Sequence, residues 1–204
     1  MRHNPFEIVR MFEETVADYC GAPYAVSTDN CTDALLICCE YLGVKEVTIP
    51  QRTYLSVPQS IMHAGGTVKF RDYRWKGVYQ LEPYPIWDAA KRFTSNMYIP
   101  DSYMCLSFHI KKQLKIGKGG MILTDNKDAV DWLKKARYEG RGVVKYHEDN
   151  IEINGYNAYM SPEMAARGLM LMQNYPEDVP DLPEEPWYRD LKEFGLFKDV
   201  EVVK

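Results

Sequence analysis

Hydrophobic patterns of helical and strand period alternate along most of this 204-residue chain, and this alternation limits the possible folds more than any other feature. Apolar residues from Ile8 to Tyr19 recur at helical spacing, and Gly21 follows as a helix stop. Asn4 is a suitable N-cap for this helix, and Pro5 suits its first position. Strands separated by helices indicate an α/β fold, here a three-layer sandwich with a mostly parallel sheet.

The alternation continues through residue 172 without a repeat or a low-complexity tract. Gly43 marks the end of the second predicted helix, and Ser161 with Pro162 marks the start of the last one. Strands are predicted at 24–27, 46–49, 67–71, 84–88, 104–108 and 120–124, and further helices at 31–42, 57–64, 127–138 and 162–172.

Composition is that of an ordinary globular protein, with 46% hydrophobic and 26% charged residues. No apolar run is long enough to cross a bilayer, and the first residues lack a signal-peptide core, so we expect a cytoplasmic protein without membrane association. The five cysteines and four histidines show neither disulfide-framework nor metal-site spacing, so we predict reduced thiols and no metal site. A net charge of −4 argues against nucleic-acid binding.

Residues 175–204 differ in composition from the rest of the chain. They contain nine acidic and four basic residues, together with four of the twelve prolines. We therefore predict two regions, an α/β domain over residues 1–174 and an acidic, proline-rich C-terminal extension over residues 175–204. We expect the extension to be an extended segment packed on or beside the domain, and not a second domain.

The most unusual local sequence begins at the strand end Ser107 and continues through Lys112 to a glycine-rich return at Gly117. This arrangement suits a lysine held over a cofactor pocket, although a solvated basic turn between two strands is the commoner structure for such a sequence. A phosphate-binding P-loop is excluded, because the glycine and lysine at 117–118 are followed by another glycine.

Two further positions have side chains suited to ligand binding. Asp88 ends an apolar strand, at the edge where parallel sheets bind ligands, although on its own such a residue is more often an N-cap for the next helix. Asn30, Cys31 and Thr32 open the second helix, where exposed amides and the helix dipole suit either a phosphate or simple capping.

These motifs occur in an order that is typical of one family. They are Asn30-Cys31-Thr32-Asp33, Pro50-Gln51-Arg52-Thr53-Tyr54, Asp88-Ala89-Ala90, Ser107-Phe108 with Lys112, Gly119-Gly120, and Gly155-Tyr156-Asn157. From about residue 7 to residue 173 the chain resembles the DegT/DnrJ/EryC1/StrS family of pyridoxal-phosphate-dependent sugar aminotransferases. The lysine block and the preceding aspartate are its most specific part. The resemblance implies the large-domain fold of type I aminotransferases.

The resemblance also implies a role for each motif residue. Lys112 would bind pyridoxal 5′-phosphate (PLP) through a Schiff base and move the substrate proton. Asp88 would pair with the protonated ring nitrogen, and Tyr54 would stack on the ring. The residues that would hold the phosphate are Cys31, Thr32 and Ser107.

The resemblance also implies roles for Lys91 and Asn157 and a longer chain in the family. Lys91 stands where the family has glutamine or histidine near the cofactor, and it is a further predicted contact. Asn157 would reach the cofactor of a neighbouring subunit, in a homodimer with shared active sites. The chain stops soon after the last predicted helix, so we expect a shortened form that lacks the small C-terminal domain.

The implied function is that of an aminotransferase acting on a nucleotide-linked keto-sugar, with an amino acid such as glutamate as amino donor. The alternative is a catalytically inactive relic or scaffold of the same fold that retains PLP binding. Intact Lys112 and Asp88 favour the enzyme, whereas the expected loss of a domain favours the relic.

Overall fold

A computed structural model describes Asn4, residues 6–183 and residues 188–203. Its elements follow the alternation of helix and strand that the sequence predicts. The helices are α1 (Glu7–Cys20), α2 (Cys31–Tyr41), α3 (Ser56–His63), α4 (Lys127–Ala136) and α5 (Pro162–Met172), with short 3-10 helices at Tyr146–Glu148 and Leu191–Glu193. The strands are β1 (Tyr24–Thr28), β2 (Glu46–Pro50), β3 (Thr67–Arg71), β4 (Tyr79–Gln80), β5 (Ile86–Asp88), β6 (Tyr103–Ser107), β7 (Gly120–Thr124) and β8 (Val202–Val203).

Two sheets form the centre of the molecule. The larger has the order β1-β7-β6-β5-β4, and the smaller has the order β2-β3-β8 with parallel pairing throughout. In the larger sheet β1, β5 and β6 run in one direction, whereas β7 and the two-residue β4 run in the other. β7 is antiparallel because it follows β6 after a return without a crossover helix. The predicted α/β fold is confirmed; the larger sheet has mixed strand directions, and the smaller sheet is parallel.

The two faces of the larger sheet are buried under different helices. Tyr103 and Cys105 of β6 belong to an apolar cluster that contains residues of α2 and α4. Met104 and Leu106 alternate with them and belong to a second cluster that contains residues of α1 and α5. Because successive strand residues point to opposite faces, this division gives a helix–sheet–helix sandwich.

Most predicted boundaries are within two residues of the observed ones, and β3, β7 and α5 match exactly. The predicted N-cap Asn4 is wrong, because α1 begins at Glu7 and the Asn4 side chain accepts the Phe6 N–H at 3.0 Å. Pro5 lies outside the described residues. The strands β4 and β8 were not predicted, since two-residue strands have no periodicity of their own.

The C-terminal segment, defined here as the described residues 175–183 and 188–203, lies against the rest of the chain. The Tyr19 hydroxyl donates to the carbonyl of Pro176 at 2.7 Å. Leu191 and Phe197 are buried in the apolar cluster beneath the smaller sheet, to which this segment adds β8. The predicted division of the chain at residue 174 stays a prediction.

A buried ion pair connects three elements near one edge of the larger sheet. The guanidinium of Arg137, directly after α4, contacts the Glu13 carboxylate on α1. Arg137 also donates to the Ser27 carbonyl on β1 at 2.6 Å and to its hydroxyl at 2.7 Å. The side chains of Arg137 and Glu13 are only 12% and 6% exposed. Removing one charge from such a pair leaves the other buried without compensation.

We therefore expect Glu13→Gln to lower the free energy of unfolding by about 3–5 kcal/mol. The adjacent Glu14 is the matched control, because it pairs with Arg10 at the surface. Glu14→Gln should change stability by less than about 1 kcal/mol. Urea unfolding of both variants measures the difference, and equal stabilities would show that the buried pair contributes no more than the exposed one.

Candidate active site

Seven of the eight predicted site residues line one cavity of about 470 Å³. It lies at the C-terminal ends of β5 and β6 and at the N-terminus of α2, which is the edge where ligands bind to such sheets. The structure therefore brings together positions that are up to 81 residues apart in the sequence, from Cys31 to Lys112. The seven are Cys31, Thr32, Tyr54, Asp88, Lys91, Ser107 and Lys112.

The Asp88 carboxylate is buried, and each of its oxygens accepts one hydrogen bond from the chain. The Ala90 N–H donates to one oxygen at 2.9 Å, and the Tyr79 hydroxyl donates to the other at 2.7 Å. The Tyr79 hydroxyl also lies 2.7 Å from the Thr53 hydroxyl. Turns, and no helix, follow Asp88, so the interpretation of this residue as a helix N-cap is wrong.

Burial raises the pKa of Asp88 above its ordinary value. The hydrogen bonds from Ala90 and Tyr79 and the positive charges of Lys112 and Lys91 act in the opposite direction and offset part of that rise. Asp88 thus places a carboxylate at the cavity wall. A positively charged group in the cavity would stabilise its ionised form.

The N-terminus of α2 offers backbone donors to the cavity. The Asn30 side chain caps the helix by accepting the Asp33 N–H at 2.9 Å, and the N–H groups of Cys31 and Thr32 precede the first intrahelical bonds. The Cys31 thiol lies 3.6 Å from the Cys105 carbonyl, to which it donates. The thiol is therefore directed at the backbone of β6.

Gly120 allows β7 to approach this same turn. A Cβ atom at position 120 would lie 2.4 Å from the carbonyl carbon of Asn30 and 2.6 Å from the Thr28 hydroxyl. Only glycine fits there, because real Cβ atoms do not approach other heavy atoms so closely. The second glycine of the predicted lysine block therefore has a structural reason, which is close packing against the start of α2.

The two predicted site lysines of the cavity differ in their surroundings. Lys112 is half-buried in the turn after β6, where its N–H donates to the His109 carbonyl at 2.8 Å. Its charge lowers the pKa of both Asp88 and Cys31 against the larger effect of burial, which places it close to both. Lys91 is 4% exposed, and its ammonium donates to the Pro183 carbonyl at 3.3 Å.

Tyr54 and Asn157 occupy more open positions. The Tyr54 ring lines the cavity and is 54% exposed. Asn157 does not line the cavity, and its side-chain amide donates to the Glu139 carboxylate at 3.1 Å at the surface. A contact from Asn157 to the cofactor of a second subunit stays a prediction.

The residues around the cavity fit PLP. A carboxylate for the ring nitrogen, a lysine amine, an exposed helix N-terminus with the hydroxyls of Thr32 and Ser107, and an aromatic ring at Tyr54 all face one volume. Within the described parts of the chain, no group of histidine, cysteine and acidic side chains could hold a metal ion. Over the same residues, no helix is long and apolar enough to span a membrane.

Sequence reasoning missed several side chains of this site. Tyr79 contacts Asp88 because β4 and β5 pair these two residues directly, but a two-residue strand leaves no pattern in the sequence. The hydroxyl of Ser56, the first residue of α3, lies 2.9 Å from the Thr32 hydroxyl, and its only signal in the sequence is its place just before the predicted helix at 57–64. Trp75 and Tyr188 also line the cavity, and nothing local to either residue indicates a site.

The fold is that of the large domain of PLP-dependent aminotransferases, and comparison with known proteins identifies the family. The profile of the DegT/DnrJ/EryC1/StrS aminotransferase family matches residues 4–97 and 100–179, so the chain belongs to this family.

Named relatives agree with this assignment. The chain is 25% identical over 214 residues to a GDP-perosamine synthase of Caulobacter vibrioides, in a match that covers 82% of this chain and 57% of that protein. It is 24% identical over 210 residues to a UDP-4-amino-4,6-dideoxy-N-acetyl-beta-L-altrosamine transaminase of Campylobacter jejuni, with 79% and 55% covered. The chain thus spans little more than half the length of these curated relatives.

Solved structures share the fold. A DegT DnrJ EryC1 StrS aminotransferase from Brucella abortus has a TM-score of 0.77 at 17% identity, covering 97% of this chain and 80% of that one. Helicobacter pylori PseC, an aminotransferase involved in the biosynthesis of pseudoaminic acid, has a TM-score of 0.67 at 14% identity, with 82% and 57% covered.

Because its pKa is raised, Asp88 should make the free energy of unfolding depend on pH. Because burial disfavours the ionised carboxylate, Asp88 lowers stability as the pH rises from the ordinary aspartate range through its raised pKa. Asp88→Asn removes this cost, and the amide can still accept from Ala90 and donate to Tyr79. We expect the variant to unfold at higher urea than the wild type at neutral pH, with the difference vanishing below about pH 4.

Asp72→Asn is the control, because Asp72 pairs with Arg52 at the surface. It should show no such pH-dependent gain. An Asp88→Asn variant that is less stable than the wild type at neutral pH would mean that its partners outweigh burial.

Proposed function

We propose that this chain is a PLP-dependent aminotransferase that transfers an amino group from an amino acid such as glutamate to a nucleotide-linked keto-sugar. The observation that carries the proposal is the placement of Lys112 and Asp88 on one cavity, together with the N-terminus of α2. Family membership and the sugar-nucleotide names of the relatives support the substrate class. Five free cysteine thiols support a reducing, cytoplasmic location.

Each residue would have a separate role in cofactor binding or proton transfer, according to its chemistry. When bound, PLP supplies an electron sink for the substrate carbanion. Asp88 would hold a proton on the ring nitrogen, where the ionised carboxylate compensates the positive charge. The Lys112 amine would attach the cofactor and carry the proton to and from the substrate carbon. Backbone N–H groups of Cys31 and Thr32 would orient the phosphate.

Asp88, in this proposal, has its effect on the reaction more than on binding. Its carboxylate is held by two chain donors and needs no ligand to stay in place. A change to the neutral amide would keep that geometry and remove the charge that retains the ring proton. Lys112 contributes differently, because without its amine there is no covalent attachment.

The first prediction of the proposal concerns the attachment site. Wild-type protein mixed with PLP should absorb in the visible range, and borohydride reduction followed by peptide mass mapping should place the pyridoxyl group on Lys112. Lys112→Ala should lose both the absorbance and the label. Lys115→Ala is the control, because this neighbouring lysine is exposed outside the cavity and its loss should change neither.

The result also separates the enzyme from an inactive relic that retains the cofactor. Glutamate should bleach the visible absorbance of the enzyme, whereas a relic would keep its colour. A wild-type protein that takes up no PLP would overturn the proposal.

We further infer that the functional unit is a homodimer with shared sites. Exposed apolar side chains lie in the loop that precedes Asn157, where Val143 is 64% and Tyr146 is 70% exposed. Packing a second copy over this loop would bury them, and two-fold pairing is the commonest closed arrangement. Asn157, which lies outside its own subunit's cavity, would then be available to the partner.

Light scattering should therefore report a dimer, and Asn157→Ala should weaken PLP binding without separating the subunits. Mixing Lys112→Ala chains with Asn157→Ala chains should restore activity, because each mixed dimer has one site free of both substitutions. The same two variants measured separately are the controls. A monomer at working concentration would contradict the shared site.

A further inference from the structure

The cavity extends beyond the part of the chain that defines the family. The family profile ends at residue 179, whereas Leu182, Tyr188, Arg189 and Phe194 line the same cavity as Lys112. These four side chains belong to the C-terminal segment, for which the motifs predict no role. The C-terminal segment therefore forms part of the cavity wall.

The segment is fixed to the domain just before it reaches the cavity. Asp181 accepts two hydrogen bonds of 2.7 Å from the Arg92 guanidinium, and the Leu182 N–H donates to the Lys91 carbonyl at 2.9 Å. Gly77 makes room for this pair, because a Cβ atom there would lie 2.3 Å from the Asp181 carboxylate. Asp181 and Leu182 thus fix the position of the segment at the edge of the cavity.

The segment is also fixed after the cavity. The Leu191 N–H donates to the Gln51 carbonyl at 3.0 Å, and the Gln51 amide donates to the Asp190 carboxylate. Phe197 is buried with its ring centre 6.2 Å from that of Phe70. The described residues of the segment are therefore attached to the domain on both sides of the cavity.

Lys91 connects the domain to the cavity-facing part of the segment. Its ammonium lies 4.5 Å from the ring centre of Tyr188 and 5.0 Å from that of Trp75, and it donates to the Pro183 carbonyl. The Trp75 and Tyr188 rings are stacked at 6.0 Å with an interplanar angle of 27°. A buried ammonium is costly unless it is compensated, and ring faces and carbonyl oxygens compensate it.

We propose that Tyr188 is a binding residue of the active-site cavity, supplied by the chain's own C-terminal segment, and that Lys91 is the positioning residue that holds it there. Resting on the proposed function, this inference adds one wall to the same site. Lys91 then acts through Tyr188 and the segment, in place of the direct cofactor contact that its alignment position predicts.

The surroundings of Tyr188 support this role. Burial raises the pKa of its hydroxyl, and Asp88, Cys31 and Tyr54 raise it further, so Tyr188 lies near three predicted cofactor contacts. The cavity retains about 470 Å³ with Tyr188 in place. The tyrosine therefore bounds the space and leaves it open to a ligand.

The test measures the affinity of the full chain for PLP by visible absorbance. Tyr188→Leu and Lys91→Met should each weaken binding by roughly 3-fold to 30-fold, the range of a cation–π contact. Tyr188→Phe keeps the ring and should bind as the wild type does, and Lys91→Arg keeps the charge and should recover most of the affinity. Lys198→Met is the matched control, because Lys198 is an exposed lysine of the same segment outside the cavity.

Hydrogen exchange of the unliganded protein supplies a readout that needs no cofactor. Lys91→Met should raise amide exchange in residues 188–194 and not in α1, whereas Lys198→Met should leave both unchanged. Should Lys91→Met fail to fold, the Tyr188→Leu and Tyr188→Phe pair still decides the result.

Three outcomes overturn the inference. In a wild-type protein that binds PLP, an unchanged affinity in Tyr188→Leu would remove the binding role, and a tighter affinity would show that the tyrosine obstructs the site. Unchanged exchange at 188–194 in Lys91→Met would remove the positioning role. A wild-type protein that binds no PLP refutes the proposed function instead, so the two failures are distinguishable.

Discussion

The ion pair between Glu13 and Arg137 fixes the elements that support the site. It joins α1, the end of α4 and Ser27 near the end of β1, with both charges buried. The turn that begins α2 follows β1 directly, so its position depends on this junction. Because a buried charge is stable only with its partner in good geometry, the three elements cannot move independently without a large cost. The start of α2 is thus held against the sheet before any ligand binds.

Close packing and burial then shape the cavity itself. Gly120 brings β7 against the carbonyl of Asn30, which leaves the N-terminus of α2 facing the ends of β5 and β6. Asp88 is placed at that junction at the expense of its hydration, and hydrogen bonds from Tyr79 and Ala90 compensate only part of the loss. A carboxylate whose burial is only partly compensated is suited to bind a cationic group of a ligand. Residues with perturbed pKa values are also common at functional sites.

The C-terminal segment supplies part of the cavity wall. The chain spans little more than half of its curated relatives, yet side chains from beyond residue 179 line the cavity. Asp181 and Asp190, two of the acidic residues that set this region apart in composition, pair with Arg92 and Arg52 of the domain. The acidic composition therefore has a local explanation in these two ion pairs, in addition to its effect on the net charge.

The sequence by itself determined the features that depend on local pattern. Periodicity and capping residues placed α2, α5 and β7, because a helix face or a strand face repeats within a few residues. The family resemblance carried by the motifs predicts Lys112, Asp88 and the start of α2 as site residues. Only the tertiary structure decided the contact of Tyr79 with Asp88 and that of Tyr188 with Lys91. Those contacts depend on a two-residue strand and on segments about 97 residues apart, and long-range packing of this kind leaves no periodic signal in either segment.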